Sequence, residues 1–110
     1  MAGPDYDSMA RVLGALAHPE RLRILELVAQ REMCVCELVA ALGRRQAYVS
    51  QQLSVLRQAG LVIDRKEGLL VFYRLADRSV MSLVAGAARL CCTAQGAAAN
   101  GPLPARSLEA

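Results

Sequence analysis

The sequence QAYVSQQLSVLRQAG, at residues 46–60, decides the fold of this 110-residue chain. Val49, Leu53 and Leu56 are spaced i, i+4 and i+7, which places them on one face of an α-helix. The other positions are rich in glutamine, serine and arginine, and the segment has no acidic residue although the chain has ten. Because an ordinary solvated helix face usually mixes Glu with Lys, this composition favours a recognition helix that meets the base edges and phosphates of DNA.

A second, shorter helix is predicted just before the recognition helix. It covers residues 35–42 and ends at Gly43, which suits the left-handed position that follows many helices. Only Arg44, Arg45 and Gln46 lie between Gly43 and Ala47, so the two helices must cross after a short turn. This is the spacing of a helix-turn-helix.

The apolar period changes from 3.6 to 2 after the recognition helix, which predicts a β-hairpin. Its strands are expected at residues 61–65 and 70–75, with a polar turn at 65–68 that includes a glycine. A hairpin with a basic tip, directly after a helix-turn-helix, is interpreted as a wing. The simpler alternative is a hairpin that only covers the core. The predicted fold class is therefore mainly α with a β-hairpin, a winged helix-turn-helix.

Three more helices are expected outside this region, at residues 7–17, at 19–30 and from a cap at Asp77 to about residue 92. The last of them has small residues around Gly86, which would let another helix approach closely. We therefore expect a homodimer that forms through the first and last helices.

Residues 1–93 are predicted to form one domain, and residues 94–110, rich in Gly, Pro and Ala without periodicity, a flexible C-terminal tail. The apolar runs are too short for a membrane span. No export signal is recognised, so a cytoplasmic location is expected. Under those conditions the four cysteines are expected to be thiols rather than a disulfide framework.

Positive charge is concentrated where the recognition helix lies. Residues 44–74 hold six basic and two acidic residues, whereas residues 1–43 hold four and six. This asymmetry favours a polyanionic partner. The residues predicted to contact DNA are Arg44, Arg45, Gln46, Tyr48, Ser50, Gln51, Gln52, Arg65, Lys66 and Arg74.

With these features the chain resembles the ArsR/SmtB family of bacterial winged-helix repressors. The resemblance covers roughly residues 9–92 and rests on four motifs: LAHPERLRILELV at 16–28, CVCELVAALG at 34–43, QAYVSQQLSVLRQAGLV at 46–62 and VFYRL at 71–75. The resemblance implies a homodimer on a palindromic operator that dissociates when a metal or metalloid binds. The Cys-Val-Cys stretch is similar to the inducer-binding segment of the arsenite-responsive members.

The chain departs from the family pattern at several positions. The Ser-Gln-Pro that often opens the recognition helix is replaced by residues 45–47, and a third cysteine expected after the first two is Val39. Members that bind zinc on the last helix use Asp and His there. The only histidine in this chain is His18, so that zinc site cannot be assembled.

The predicted metal ligands are the four cysteines, Cys34, Cys36, Cys91 and Cys92. Within a regular helix, side chains two residues apart point to different sides. Cys34 and Cys36 could therefore bind one ion only if the chain is frayed or not yet helical where the third helix begins, and the helix N-terminus there also favours thiolate. Thiolates without histidine select soft ions, so trivalent arsenic or antimony is the expected inducer, with a third sulfur from Cys91 or Cys92 of either chain. For Cys91 a small buried core residue is an equally plausible interpretation.

Other functions remain open from the sequence. Cadmium or lead could replace the metalloid, or cysteine oxidation or persulfidation could be the signal. A thiol oxidoreductase is disfavoured because no Cys-X-X-Cys lies beside a βαβ pattern. A winged helix that binds proteins rather than DNA is a further alternative. No enzyme activity and no organic cofactor are expected.

Overall fold

The computed structural model describes the backbone of residues 3–98 and the side chains of residues 3–92. The elements in chain order are α1 (Tyr6–Leu16), α2 (Pro19–Gln30), β1 (Met33–Cys34), α3 (Val35–Leu42), α4 (Gln46–Gln58), β2 (Val62–Glu67), β3 (Leu70–Leu75) and α5 (Ser79–Ala98). The predicted winged helix-turn-helix is confirmed. Among the described residues, none of these helices combines the length and apolar composition that crossing a bilayer requires.

The helices begin and end where local chemistry favours it. Pro19 occupies the first turn of α2, and the backbone N–H of Glu20 donates to His18 Nδ1 over 3.2 Å. Gly43 ends α3 with a φ of 66°, the left-handed conformation that glycine adopts without a steric penalty. The backbone N–H of Ser79 donates to Asp77 Oδ1 over 2.8 Å at the start of α5. The predicted bounds of α2 and α3 are therefore confirmed.

The helix-turn-helix is held by one hydrophobic core. Its completely buried side chains come from three successive helices: Ile24 and Leu25 of α2, Leu38 of α3, and Val49, Leu53 and Leu56 of α4. Burying each such side chain stabilises the fold by roughly 1.5–3 kcal/mol. Because α4 uses this apolar face for packing, its opposite face is left for solvent or a ligand.

The wing is a three-stranded antiparallel sheet with the order β1-β3-β2. The short strand β1 was not predicted. It pairs with the middle strand, so that Cys34 lies opposite Phe72. On the other side of β3, Arg65 also lies opposite Phe72. The sheet thus connects the cysteine segment with the hairpin.

The predicted hairpin turn at residues 65–68 is wrong. β2 continues to Glu67, which pairs with Leu70, so the turn contains only Gly68 and Leu69. Gly68 has a φ of 62°, which a two-residue hairpin turn requires and which glycine provides. As a result the tip carries a fully exposed leucine, and the basic residues lie along the strand.

The last helix extends beyond its predicted end. α5 continues past Cys92 to Ala98, so the helix includes residues 94–98, the first part of the predicted tail. The remainder of the predicted tail, residues 99–110, lies outside the described residues. The division into a domain and a tail stays a prediction.

Candidate DNA-binding surface and cysteine site

The polar face of α4 is open. Gln46, Ser50 and Gln51 are exposed and Tyr48 is half-buried, so their side chains can reach a ligand in front of the helix. The helix has no acidic residue in its first turn and carries Arg57 in its last. Amide and hydroxyl groups on such a surface are suited to the donor and acceptor pattern of the DNA major groove.

Gln52 is a correction to the predicted DNA contacts. Its side chain is only 7% exposed, because position 52 falls beside Val49 and Leu53 on the buried face of α4. Its Oε1 accepts a hydrogen bond of 2.8 Å from Nη1 of Arg21 on α2. Gln52 is therefore an internal hydrogen-bonding residue. Its i+3 spacing from Val49 is the one local pattern that indicates this burial.

Two arginines precede the recognition helix. Arg45 is exposed at the N-cap of α4. Nη2 of Arg44 donates to Oε2 of Glu20 over 3.2 Å, and its guanidinium carbon lies 5.2 Å from the centroid of the Tyr48 ring. Glu20, which was not among the predicted site residues, is buried and holds Arg44 in place beside the surface.

The three basic side chains of the hairpin, Arg65, Lys66 and Arg74, differ in how many hydrogen bonds and salt bridges hold them. Arg65 donates to both carboxylate oxygens of Glu32, over 3.1 and 2.7 Å, and to Glu67 over 2.7 Å. These bonds, to Glu32 above all, raise the pKa of the Arg65 guanidinium further above its ordinary value. Lys66 and Arg74 are exposed, and within residues 3–92 neither forms a salt bridge.

Cys34 and Cys36 are brought together at the junction of β1 and α3. The expectation that all four cysteines are thiols is wrong for this pair, because the structure joins them by a disulfide bond. Cys34 has an extended backbone and Cys36 lies in the first turn of α3, so the two side chains converge with their Cα atoms 5.4 Å apart. Cys34 is 4% exposed, whereas Cys36 is exposed.

Glu37 fixes the backbone at this junction. Its Oε1 accepts a hydrogen bond of 2.9 Å from the backbone N–H of Cys34, and its Oε2 accepts one of 3.0 Å from Arg31. The bond from Arg31, followed by that from Cys34, holds the pKa of the Glu37 carboxyl below its ordinary value. Since both carboxylate oxygens already accept hydrogen bonds, the role of Glu37 is to stabilise the start of α3.

A cavity of about 270 Å³ connects the cysteine pair with the DNA-binding surface. It opens between the start of α3, the start of α4 and the hairpin. Its walls include Cys34, Cys36, Gln46, Ser50, Leu69, Leu70, Val71 and Tyr73. An occupant of this cavity would touch the cysteines and two of the predicted DNA contacts at once.

The last two cysteines are separate from this cavity. Cys91 and Cys92 are exposed on α5, so the interpretation of Cys91 as a buried core residue is wrong. Cys91 lines a groove between α2 and α5, beside Arg23 and Glu26. Across the described part of the chain no group of three His, Cys, Asp or Glu side chains could hold a metal ion. A three-sulfur site within one chain is therefore not formed.

Apolar side chains remain uncovered on α1 and α5. Met9 and Leu13 of α1 and Leu83 of α5 are about half exposed and line one apolar depression together. Leu13 is 53% exposed and Leu83 is 45% exposed. This face lies on the two helices that were predicted to form the dimer.

Comparison with known proteins identifies relatives of the chain. Residues 18–64 match the family described as "Bacterial regulatory protein, arsR family". A transcriptional repressor SmtB homolog of Synechocystis is 47% identical over 75 residues, covering 68% of this chain and 57% of that protein. A biofilm growth-associated repressor of Agrobacterium fabrum is 44% identical over 84 residues, covering 76% of this chain and 72% of that protein.

A solved structure shows the same fold. The homodimeric winged helix-turn-helix DNA-binding domain of a possible ArsR-family regulator from Mycobacterium bovis superposes with a TM-score of 0.72 and 37% sequence identity. The superposition covers 83% of this chain and 90% of that domain. These relatives are two repressors and the DNA-binding domain of a possible transcriptional regulator, and not enzymes.

Proposed function

This chain belongs to the arsR family of bacterial regulatory proteins, and on that basis we propose that it is a homodimeric repressor that dissociates from operator DNA in response to a chemical change at Cys34 and Cys36. One observation carries the proposal. The cysteine pair and the exposed, acid-free start of α4 line the same cavity. A chemical event at sulfur therefore acts directly beside the DNA-binding surface.

In the proposed complex, the α4 helices of the two subunits enter successive major grooves about 34–36 Å apart. Gln46, Tyr48, Ser50 and Gln51 face the bases and nearby phosphates, and a glutamine amide suits the adenine edge. The phosphate contacts are assigned to Arg44, Arg45, Arg65, Lys66 and Arg74. The uncovered apolar face of α1 and α5 supports dimerisation through these helices. Binding to DNA implies a cytoplasmic location.

The proposed inducer is trivalent arsenic or antimony. Cys34 and Cys36, when reduced, offer two soft sulfur ligands at a helix N-terminus, which fit two of the three sulfurs that such an ion prefers. The third would come from Cys91 or Cys92 of the partner subunit or from a thiol in solution. Cadmium and lead share the preference for sulfur and are tested beside them.

Release follows from displacement at the start of α3. α3 packs against α4, so drawing the two sulfurs around an ion shifts the support of the recognition helix. The coupling required for induction is typically ~1–3 kcal/mol, which corresponds to about a 5- to 150-fold loss of affinity for DNA. The same displacement pulls β1, which is paired with the middle strand of the wing.

A redox signal is the second candidate, because Cys34 and Cys36 are joined by a disulfide in this structure. In the reaction, the two thiols give two electrons and two protons to one hydrogen peroxide molecule, forming the disulfide and two molecules of water. This oxidation would change the covalent structure at the start of α3 without the binding of an ion.

Selection of DNA from a random-sequence pool tests the proposed function. The reduced protein is expected to enrich a palindromic duplex and to release it when arsenite or antimonite is added. Release by peroxide or a persulfide alone would assign the redox signal. If no sequence is enriched, the DNA-binding proposal is wrong, and a protein-binding winged helix becomes the better interpretation.

Lys66 and Arg65 should differ in their contribution to DNA binding. Lys66→Ala should reduce the slope of log affinity against log salt by roughly 0.9, the value for one lost phosphate contact on duplex DNA. Arg65→Ala should change the slope less, because Glu32 and Glu67 already neutralise that side chain. Titrations of the selected duplex between low and physiological salt measure both slopes. Equal slopes for both variants and the wild type would contradict these phosphate contacts.

A further inference from the structure

Arg21 connects three parts of the helical framework. Its Nε donates to the carbonyl oxygen of Ala15 over 2.6 Å and its Nη2 to that of Gly14 over 3.3 Å, both near the end of α1. Its Nη1 donates to Oε1 of Gln52 on α4 over 2.8 Å. One guanidinium on α2 thus bonds the dimer helix α1 to the recognition helix α4.

The hydrogen bonds from Arg21 to α1 and to Gln52 form a bridge that restricts the movement of α1 relative to α4. Gln52 is buried and Arg21 is partly buried, so water competes poorly for the hydrogen bonds to Gln52 and Ala15, whereas the bond to Gly14 is exposed. A guanidinium is planar and holds its donors in fixed directions, so three acceptors on two helices restrict both the distance and the angle between them. α1 also packs directly against α4.

We propose that Arg21 and Gln52 are positioning residues that set the angle of α4 relative to α1, and thereby the separation of the two recognition helices in the dimer. The inference rests on the proposed function, since α1 must lie at the dimer interface and α4 on DNA. An operator with two half-sites is bound tightly only when both recognition helices enter their major grooves at the same time. Removing these hydrogen bonds therefore weakens binding to the full operator and reduces the protein's preference for one spacing of the half-sites.

A double-mutant cycle tests the bridge with the duplex that the wild-type protein selects. Arg21→Met and Gln52→Met should each lower affinity for that duplex about tenfold, a value within the usual range of coupling between sites. Each substitution removes the Arg21–Gln52 hydrogen bond, and Arg21→Met also removes the two bonds to α1. The double variant should therefore bind no worse than Arg21→Met alone. Arg78→Met, which removes an exposed arginine that takes no part in these bonds, is the matched control and should bind like the wild type.

Spacing of the half-sites separates positioning from simple stabilisation. The wild type should prefer one spacing in a series of duplexes lengthened or shortened by single base pairs, and the variants should bind the series more evenly. A lower Tm with unchanged affinity and spacing preference would overturn the proposal. Arg21→Lys, which keeps the charge but cannot reach all three acceptors at once, gives the same readouts if the methionine variants do not fold.

The outcomes also distinguish this inference from the proposed function. If the wild type selects no duplex, the function itself fails. If the wild type selects one and the bridge variants bind it with unchanged affinity and spacing, only the positioning role fails.

Discussion

Cys34→Ser is expected to abolish release from DNA by arsenite or antimonite while leaving DNA binding intact. Hydroxyl oxygen is a poor ligand for soft ions, so a single sulfur would remain at this site. The hydrogen bond to Glu37 and the pairing with Phe72 use the backbone of residue 34, so the substitution leaves them in place. In fluorescence anisotropy, the wild-type complex should lose about tenfold or more in affinity on adding the ion.

Three parallel substitutions complete this experiment. Cys36→Ser should behave like Cys34→Ser, while Cys91→Ser and Cys92→Ser show whether α5 supplies a ligand from the partner subunit. All proteins are reduced and freed of reductant, because the structure contains the Cys34–Cys36 disulfide. If the Cys34→Ser complex still dissociates on adding the ion, the inducer site lies elsewhere.

Leu83→Glu is expected to separate the dimer and to lower operator affinity by about 100-fold or more, since binding through two linked sites gains a factor of that order. Leu83 is half exposed and lies with Met9 and Leu13 on the uncovered apolar face. A carboxylate there would have to be desolvated when the face is covered. Analytical ultracentrifugation measures the mass, and anisotropy measures the affinity.

Leu69→Glu is the matched control for the oligomeric state. It makes the same substitution at a leucine that is fully exposed on the hairpin tip, away from α1 and α5. This variant should remain a dimer in the same experiment. A Leu83→Glu protein that sediments as a dimer and binds the operator like the wild type would exclude α5 from the interface.

Regular periodicity allowed most of the fold to be predicted. The apolar spacing of α2 and α3, with Pro19 and Gly43 at their boundaries, defined both helices to the residue. β1 was missed because it has only two residues and gains its strand geometry from β3, far away in sequence. The turn was misplaced because four polar residues resemble a loop, whereas the pairing of Glu67 with Leu70 depends on both strands.

The candidate site was predicted less completely, since it depends on which face of each element is buried. An exposed glutamine and a buried one are adjacent at residues 51 and 52, and within the sequence only the i+3 spacing of Gln52 from Val49 distinguishes them. The bridge from Arg21 to Gln52 joins residues from different helices, which no local pattern reveals. The closeness of the sulfurs of Cys34 and Cys36 likewise depends on β1 holding Cys34 extended before α3 begins.

The row Cys34–Phe72–Arg65 across the wing has a kinetic consequence. The three residues are consecutive partners on neighbouring strands, and the Arg65 guanidinium carbon lies 4.8 Å from the centroid of the Phe72 ring. One aromatic side chain thus separates Cys34 from the Arg65 guanidinium, so a change at the sulfur reaches the hairpin through directly paired strands. If an ion acts at Cys34 as proposed, we expect the rate of release from DNA to follow ligand exchange at the thiols rather than a rotation of domains.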